Sequence, residues 1–273
     1  MSTTKFNPPT DKALSVVIIT CNEENNIIRC IEHAKHVSND IVVVDSGSND
    51  KTVSLAEQAG ARVFFRPWNG YSEQKNFGNQ QTQNDIVLSL DADEVLSDEL
   101  AVSIKKALKN YQPNTMLELN VLSKFENKFI YHGGWYPDWH PRIFEKKNVS
   151  WGNHAKVHES LQAAIPVRKI RLKGDLLHYT APERKKYREK LKNYALLFAY
   201  DRFEKRIRHS PSKKYISSGF RFIKDYFFRM GFLDGKAGWN VIAENAVYTF
   251  LKYKYLENLY KLSLVGQKQL SID

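Results

Sequence analysis

Three times before residue 95 the chain runs through consecutive apolar, mostly β-branched residues and stops abruptly at a polar or acidic one. Leu14-Ser15-Val16-Val17-Ile18-Ile19-Thr20 gives way to Cys21-Asn22-Glu23-Glu24-Asn25. Ile41-Val42-Val43-Val44 gives way to Asp45-Ser46-Gly47-Ser48-Asn49-Asp50, and Ile86-Val87-Leu88-Ser89-Leu90 to Asp91-Ala92-Asp93. Runs this short and this apolar read as strands covered on both faces, the pattern of a parallel sheet. Helical segments separate them: one marked by Ile27, Ile28 and Ile31, one from Thr52 to Ala59 that Gly60 stops, and one over 70–83. Ala61-Arg62-Val63-Phe64-Phe65 supplies a further strand. Strands alternating with helices of this size predict βαβ units. Right-handed crossovers then carry Glu23, Asp45 and Asp91 to one edge of the sheet, and the carboxyl ends of strands are where open α/β sheets bind ligands.

Asp91 and Asp93, with Glu94 behind them, are costly to crowd together without a cation. A hard divalent ion with open positions for phosphate oxygens relieves that repulsion. The plainer alternative is a solvated acidic turn capping a helix that starts near Ser97. Neither G-x-G-x-x-G nor G-x-x-x-x-G-K-[ST] occurs, so a bound diphosphate has no glycine-rich cradle and needs a cation, which favours the metal reading.

Residues 16–25, 42–52, Lys75-Asn76-Phe77-Gly78 and 90–94 together resemble the family 2 glycosyltransferases, over 14 to about 110. Those enzymes have the GT-A fold and take sugars from nucleotide diphosphates. The resemblance implies that Thr20, Glu23 or Glu24, and Asp45 approach the nucleotide base and ribose. It further implies that Asp50, Lys75 and Ala92 line the same pocket, while Asp91 and Asp93 are the expected ligands of Mg²⁺ or Mn²⁺. The family commonly has two carboxylates where this chain has Asp45-Ser46, so one nucleotide contact is missing. A carboxylate accepting a uracil N–H or a ribose hydroxyl gives discrimination, and a lysine faces a diphosphate as a point charge. The structural alternatives are a solvated helix residue for Lys75 and turn or cap chemistry for Asp45.

From Tyr131 to Phe144 aromatic rings, glycines and polar groups mix, as on a sugar-binding surface or in a loop packed down by its tryptophans. Arg142-Ile143-Phe144, the later Val157-His158-Glu159 and Gly231-Phe232-Leu233-Asp234-Gly235 resemble a narrower group. These are the bacterial β-1,4-glucosyltransferases that add glucose to the inner-core heptose of lipopolysaccharide. A transfer of that kind needs a general base within hydrogen-bond reach of the acceptor hydroxyl. Glu159 is the first candidate and Asp138 the second. His158 completes the metal shell or holds the base, and Arg142 steadies the leaving diphosphate with its planar fork. His178 is a further candidate for phosphate or metal. The expected mechanism is a single inverting displacement, the inversion and the UDP-glucose donor following from the resemblance alone.

Charge divides the 273 residues unevenly. Residues 164–273 carry 24 Lys/Arg against 10 Asp/Glu, whereas residues 1–163 carry 17 against 20. Residues 1–13 read as a flexible N-terminus, 14–178 as the nucleotide-sugar domain and 179–273 as a basic helical lobe. The expected fold class is α/β, a GT-A Rossmann-like, mainly parallel sheet with that lobe appended. Thr180-Ala181-Pro182-Glu183 has the form of a capping box opening a helix to about Arg208. Residues 220–229 are dense in aromatic and basic groups, which suits an anionic membrane surface or a helical subdomain with solvated charges. No run reaches about 18 apolar residues, and the N-terminus lacks the apolar stretch of a signal peptide. The expectation is a cytoplasmic protein, peripheral on the inner membrane, with Cys21 and Cys30 as free thiols. Its expected partners are a UDP-sugar and a lipopolysaccharide core or other lipid-linked glycan. Alternatives are a peptide or polyprenyl-phosphate acceptor, nucleotidyl transfer, and a nucleic-acid-binding module. Nucleic acid is not expected, since no recognition-helix, zinc or RNA-binding motif is present.

Overall fold

The computed structural model describes residues 12–155, 158–179 and 184–269; side chains of 153–155, 158–159 and 264–269 lie outside the description. Residues 1–11 of the expected flexible N-terminus and the capping box at 180–183 are likewise outside the described residues. The chain forms two compact units: residues 1–121 with 138–178, and residues 122–137 with 179–273.

The first unit follows the expected alternation: β1 (Leu14–Thr20), α1 (Ile27–Ala34), β2 (Asp40–Asp45), α2 (Thr52–Gln58), β3 (Arg62–Phe65), α3 (Tyr71–Gln81) and β4 (Ile86–Asp91). After β4 come β5 (Glu94–Leu96), α4 (Asp98–Lys109) and β6 (Thr115–Phe125), whose last residues enter the second unit, where β7 (Lys128–Phe129) pairs with them. The first unit resumes with β8 (Trp139–Glu145), β9 (Val149–Ala155), β10 (His158–Ala163) and β11 (Arg168–His178). The main sheet has the order β3-β2-β1-β4-β8-β6-β11-β5. β3, β2, β1 and β4 are parallel neighbours, and β8, β6 and the β11–β5 pair extend the sheet with antiparallel pairings. This is the α/β architecture with a C-terminal helical region that the sequence predicts. β9 and β10 form a separate hairpin.

Local chemistry explains the elements. β1, β2 and the apolar part of β4 are buried along their whole length, as strands covered on both faces must be. α1 buries Ile27, Cys30, Ile31 and Ala34, one helical stripe. Ser97 caps α4 by accepting the Leu100 N–H at 3.2 Å, and Asp98 and Glu99 in its first turn complement the helix dipole. α3 is mostly polar, yet it buries Ser72, Gln74, Lys75, Gly78 and Asn79. Gly78 makes this seat possible: a Cβ there would lie 2.4 Å from Val17 Cγ1 and 3.0 Å from Val44 Cγ2.

The second unit contains α5 (Arg184–Glu204), α6 (Lys213–Ile223), a π-helical turn over Lys224–Phe228, a 3₁₀ turn over Gly231–Asp234, and α7 (Gly235–Gln269). Its core joins Phe125, Ile130, Ala237, Val241 and Ile242, with Trp135, Tyr187, Phe222 and Tyr226 packed against them. Among the described residues no helix is long and apolar enough to cross a membrane. Cys21 is exposed and Cys30 buried, both as free thiols.

Candidate active site

The parallel register aligns the strand ends: Thr20 pairs with Asp45 and Ile19 with Asp91. β8 runs antiparallel to β4, with Leu88 opposite Ile143, so its first residues return to the edge at which β4 ends. Asp138 precedes β8 there, and its backbone N–H donates to Asn120 Oδ1 at 2.8 Å.

The acidic turn after β4 is built from the inside. The Asp91 N–H donates to Glu94 Oε2 at 2.9 Å, and Arg142 Nη2 donates to Glu94 Oε1 at 2.6 Å. Glu94 has no exposed surface; burial raises its carboxyl above the usual range, an effect that Arg142 reduces without cancelling. Arg142 therefore braces the acidic turn through Glu94. Lys75, also without exposed surface, lies 3.2 Å from Asp91 Oδ1 and places its ammonium 4.6 Å from the centre of the Trp151 ring. Burial alone would raise Asp91, but the charges of Lys75 and Arg142 and the Lys75 hydrogen bond hold it below the usual carboxylate range. Lys75 is thus neither solvated nor turned to an open pocket; it is the counter-charge of Asp91. Its neighbour Asn76 bonds the Trp151 backbone twice, at 2.7 and 2.9 Å, fixing β9 beneath the lysine. The Cys30 thiol donates to the Asp91 carbonyl at 3.7 Å, and the Ala92 N–H donates to Ile19 O at 3.2 Å.

Asp93 is free of these braces. Its Oδ2 lies 3.2 Å from His178 Nε2, and the two side chains are 22% and 25% exposed. His178 reaches this point because β11 pairs with β5, setting His178 opposite Glu94. Burial works against its protonation, but the hydrogen bond and charge of Asp93, with Glu94 and Asp91, raise its pKa overall. Burial and the nearby Asp93 and Asp50 carboxylates raise Glu23, which accepts from Asn26 Nδ2 at 2.7 Å.

The loops after β1 and β2 are stitched together. Ser48 Oγ accepts the Asn22 N–H at 2.8 Å, Asn22 Oδ1 accepts the Asn49 N–H at 2.8 Å, and Thr52 Oγ1 accepts the Glu23 N–H at 2.8 Å. Glu24 Oε2 accepts from Lys51 N, and Asp50 from Glu24 N and Thr52. Asp45 accepts from the backbones of Gly47 and Ser48 and from the Ser48 hydroxyl. Asp45, Glu24 and Asp50, the carboxylates expected at the nucleotide, therefore shape the two loops. Thr20 differs: it is 5% exposed and its hydroxyl has no hydrogen-bond partner.

Asp138 is half-exposed and pairs with His140 Nε2 at 2.9 Å. Glu159 stands in β10 opposite Asn153; its side chain and that of His158 lie outside the described residues. In the sequence His178 stands only as a further candidate beside His158, and His140, Asn76 and Trp151 carry no expected role. Only the acidic and aromatic character of their segments signalled them.

Asp93 Oδ2 and His178 Nε2, both part-exposed and 3.2 Å apart, would hold a divalent ion with the imidazole in its neutral form. Asp93 and His178 thus fit such an ion, with Asp91 beside them already neutralised by Lys75. Among the described residues the one set of three ligand atoms drawn within 4.8 Å is that of His33, His36 and Asp98.

The model of the family described as glycosyl transferase family 2 matches residues 15–165. A glycosyltransferase of Rickettsia prowazekii is 28% identical over 274 residues, covering 96% of this chain and 91% of that protein. One from Rickettsia bellii is 30% identical, with 93% and 88% covered. The lipopolysaccharide core biosynthesis glycosyltransferase LpsC of Rhizobium meliloti is 28% identical over 254 residues, with 87% and 89% covered. Glucosyl-3-phosphoglycerate synthase from Mycobacterium tuberculosis, solved with Mn²⁺ and UDP, matches over 42% of this chain and 44% of its own at 25% identity and a TM-score of 0.34, too partial a likeness to carry an argument. The family match spans the strand ends and the acidic turn and continues through the β9–β10 hairpin: the chain belongs to glycosyl transferase family 2.

Proposed function

We propose that the protein moves a hexose, glucose in the first instance, from a UDP-sugar to the inner-core heptose of lipopolysaccharide or a related lipid-linked glycan. The observation that carries the reading is the turn after β4, where Asp91 is held by a buried lysine while Asp93 and His178 bring two ligand atoms together at a parallel-sheet edge. Similarity to LpsC over most of both chains supports the acceptor class.

Asp93 and His178 hold the divalent ion, and Asp91 completes the acidic face. When bound, Mg²⁺ or Mn²⁺ supplies Lewis-acid stabilisation of the diphosphate. Thr20 offers its buried hydroxyl to the nucleotide, and Glu23 and the stitched loops wall its pocket. The acceptor hydroxyl attacks the anomeric carbon as the bond to the UDP oxygen breaks, and its proton passes to a carboxylate. Glu159 or Asp138 takes that proton; Asp138 has His140 at 2.9 Å to orient it. Attack opposite the leaving group inverts the anomeric centre. The acceptor is presented at an anionic membrane surface, on the cytoplasmic face of the inner membrane.

The test is turnover of UDP-glucose with heptose-terminated lipopolysaccharide in Mn²⁺. Acceptor-dependent release of UDP is the expected result. Release of pyrophosphate would make the reaction nucleotidyl transfer, and no turnover across a panel of UDP-sugars and core acceptors would overturn the reading.

A further inference from the structure

α6 has no buried residue. Its Ile216, Phe220 and Ile223, continued by Phe227 in the π-helical turn, recur at intervals of four, three and four, which draws one stripe along a helix. All four point outward, at 68%, 64%, 49% and 59% exposure, and Phe228 beyond them is 79% exposed. The other side of the same segment is occupied: Phe222 and Tyr226 stack at 5.4 Å and pack into the core of the second unit. A contiguous apolar stripe on the open side is not the ordinary scatter of surface hydrophobic residues.

The segment's own charges are mostly basic, and one of its cations, Lys214, is held by Glu257 of α7. Between Lys213 and Trp239 stand six Lys/Arg and two acidic residues, Asp225 and Asp234, both buried. Asp225 is neutralised by Arg221 Nε and by Arg229 Nη1, the latter at 3.1 Å. Each of those guanidinium side chains is still about two-fifths exposed (41% and 42%). The surface of this segment therefore offers aromatic rings and cations and no carboxylate. A second copy would bring the same cations against it, whereas an anionic bilayer satisfies both components, rings in the interfacial layer and cations at the phosphates.

We infer that α6 and the π-helical turn form the element by which the protein enters an anionic bilayer, with Ile216, Phe220, Ile223, Phe227 and Phe228 penetrating the interface. This rests on the membrane-presented acceptor of the proposed function and adds the face and the mode: apolar insertion, with the cations assisting. Because Arg221 and Arg229 hold a buried carboxylate, reversing their charge would disturb the fold as well as the lipid contact, so they are poor probes.

The test is sedimentation of the full chain with phosphatidylcholine vesicles, with and without phosphatidylglycerol, at low and high salt. Wild-type protein should bind the anionic vesicles and keep part of that binding at high salt. Phe227→Ser with Phe228→Ser should weaken binding about tenfold or more, and Lys224→Glu with Lys236→Glu should weaken it mainly at low salt. UDP affinity by calorimetry should match wild type in both variants, which also verifies folding. Unchanged binding in the phenylalanine variant, or complete loss of wild-type binding at high salt, would overturn insertion. Self-association abolished by the phenylalanine variant would assign the face to a second copy and overturn it too. UDP-sugar turnover without vesicle binding would sink this inference and leave the proposed transfer standing; vesicle binding without nucleotide binding would do the reverse.

Discussion

Lys75 and Asp91 form an ion pair at 3.2 Å in which the lysine has no exposed surface and the aspartate is the last residue of a parallel strand. Removing one member strands the other. Lys75→Met should destabilise the protein by about 3 kcal/mol in urea denaturation, a little softened because Asp91 is a third open to solvent (32%). Adding Asp91→Asn should recover much of that loss, while activity stays low.

Metal affinity should depend on Asp93 and His178 together. His178→Ala or Asp93→Asn should weaken Mn²⁺ binding by about tenfold to a hundredfold, read by electron paramagnetic resonance of free Mn²⁺ in the presence of UDP. The thermal midpoint should change little. Equal Mn²⁺ affinity in both variants would move the ion elsewhere, with His33, His36 and Asp98 next to be tested.

The base is decided by kinetics. Either Glu159→Gln or Asp138→Asn should lower kcat by about 10²–10⁴ with KM for the donor unchanged. The residue with the larger loss is the base. His140→Ala should produce a smaller loss, and only if Asp138 is that residue.

Thr20→Val is a clean probe of the nucleotide pocket. The Thr20 hydroxyl is buried without a partner, so its removal should leave stability level or slightly raised. UDP affinity should fall about tenfold by calorimetry if the hydroxyl meets the nucleotide.

Acid stability should reflect Asp40. Burial would raise its carboxyl, but Ser15 Oγ, the Gln83 N–H and Arg62 outweigh that and lower it. A carboxyl lowered in the folded state contributes stability above its unfolded pKa of about 3.9, and that contribution fades as pH falls through the folded value. Asp40→Asn should therefore be less stable at neutral pH and show a flatter loss of stability on acidification, measured by urea midpoints across pH.

What could be read in the chain was local. The apolar runs of β1, β2 and β4 and the polar residues that end them locate one sheet edge, because strand burial and crossover handedness are short-range rules. The extension through β8, β6, β11 and β5 has no comparable signal. That extension is what brings His178 to Asp93, 85 residues away in sequence. Lys75 read as a phosphate ligand because nothing nearby says that Asp91 and Trp151 will enclose it. The grouping of residues 122–137 with the C-terminal unit is likewise a matter of tertiary contact. In residues 220–229 the mixture of aromatic and basic groups was visible, but which side of the helix stays uncovered was not.

Gly78 couples two properties that are usually separate. Any side chain there must push α3 off β1 and β2, and Lys75 sits one turn earlier on the same helix. A steric error at position 78 would thus surface as an electrostatic fault at Asp91, with the lysine drawn back from its carboxylate. Substitutions at Gly78 should look, in a screen for activity, like losses of charge.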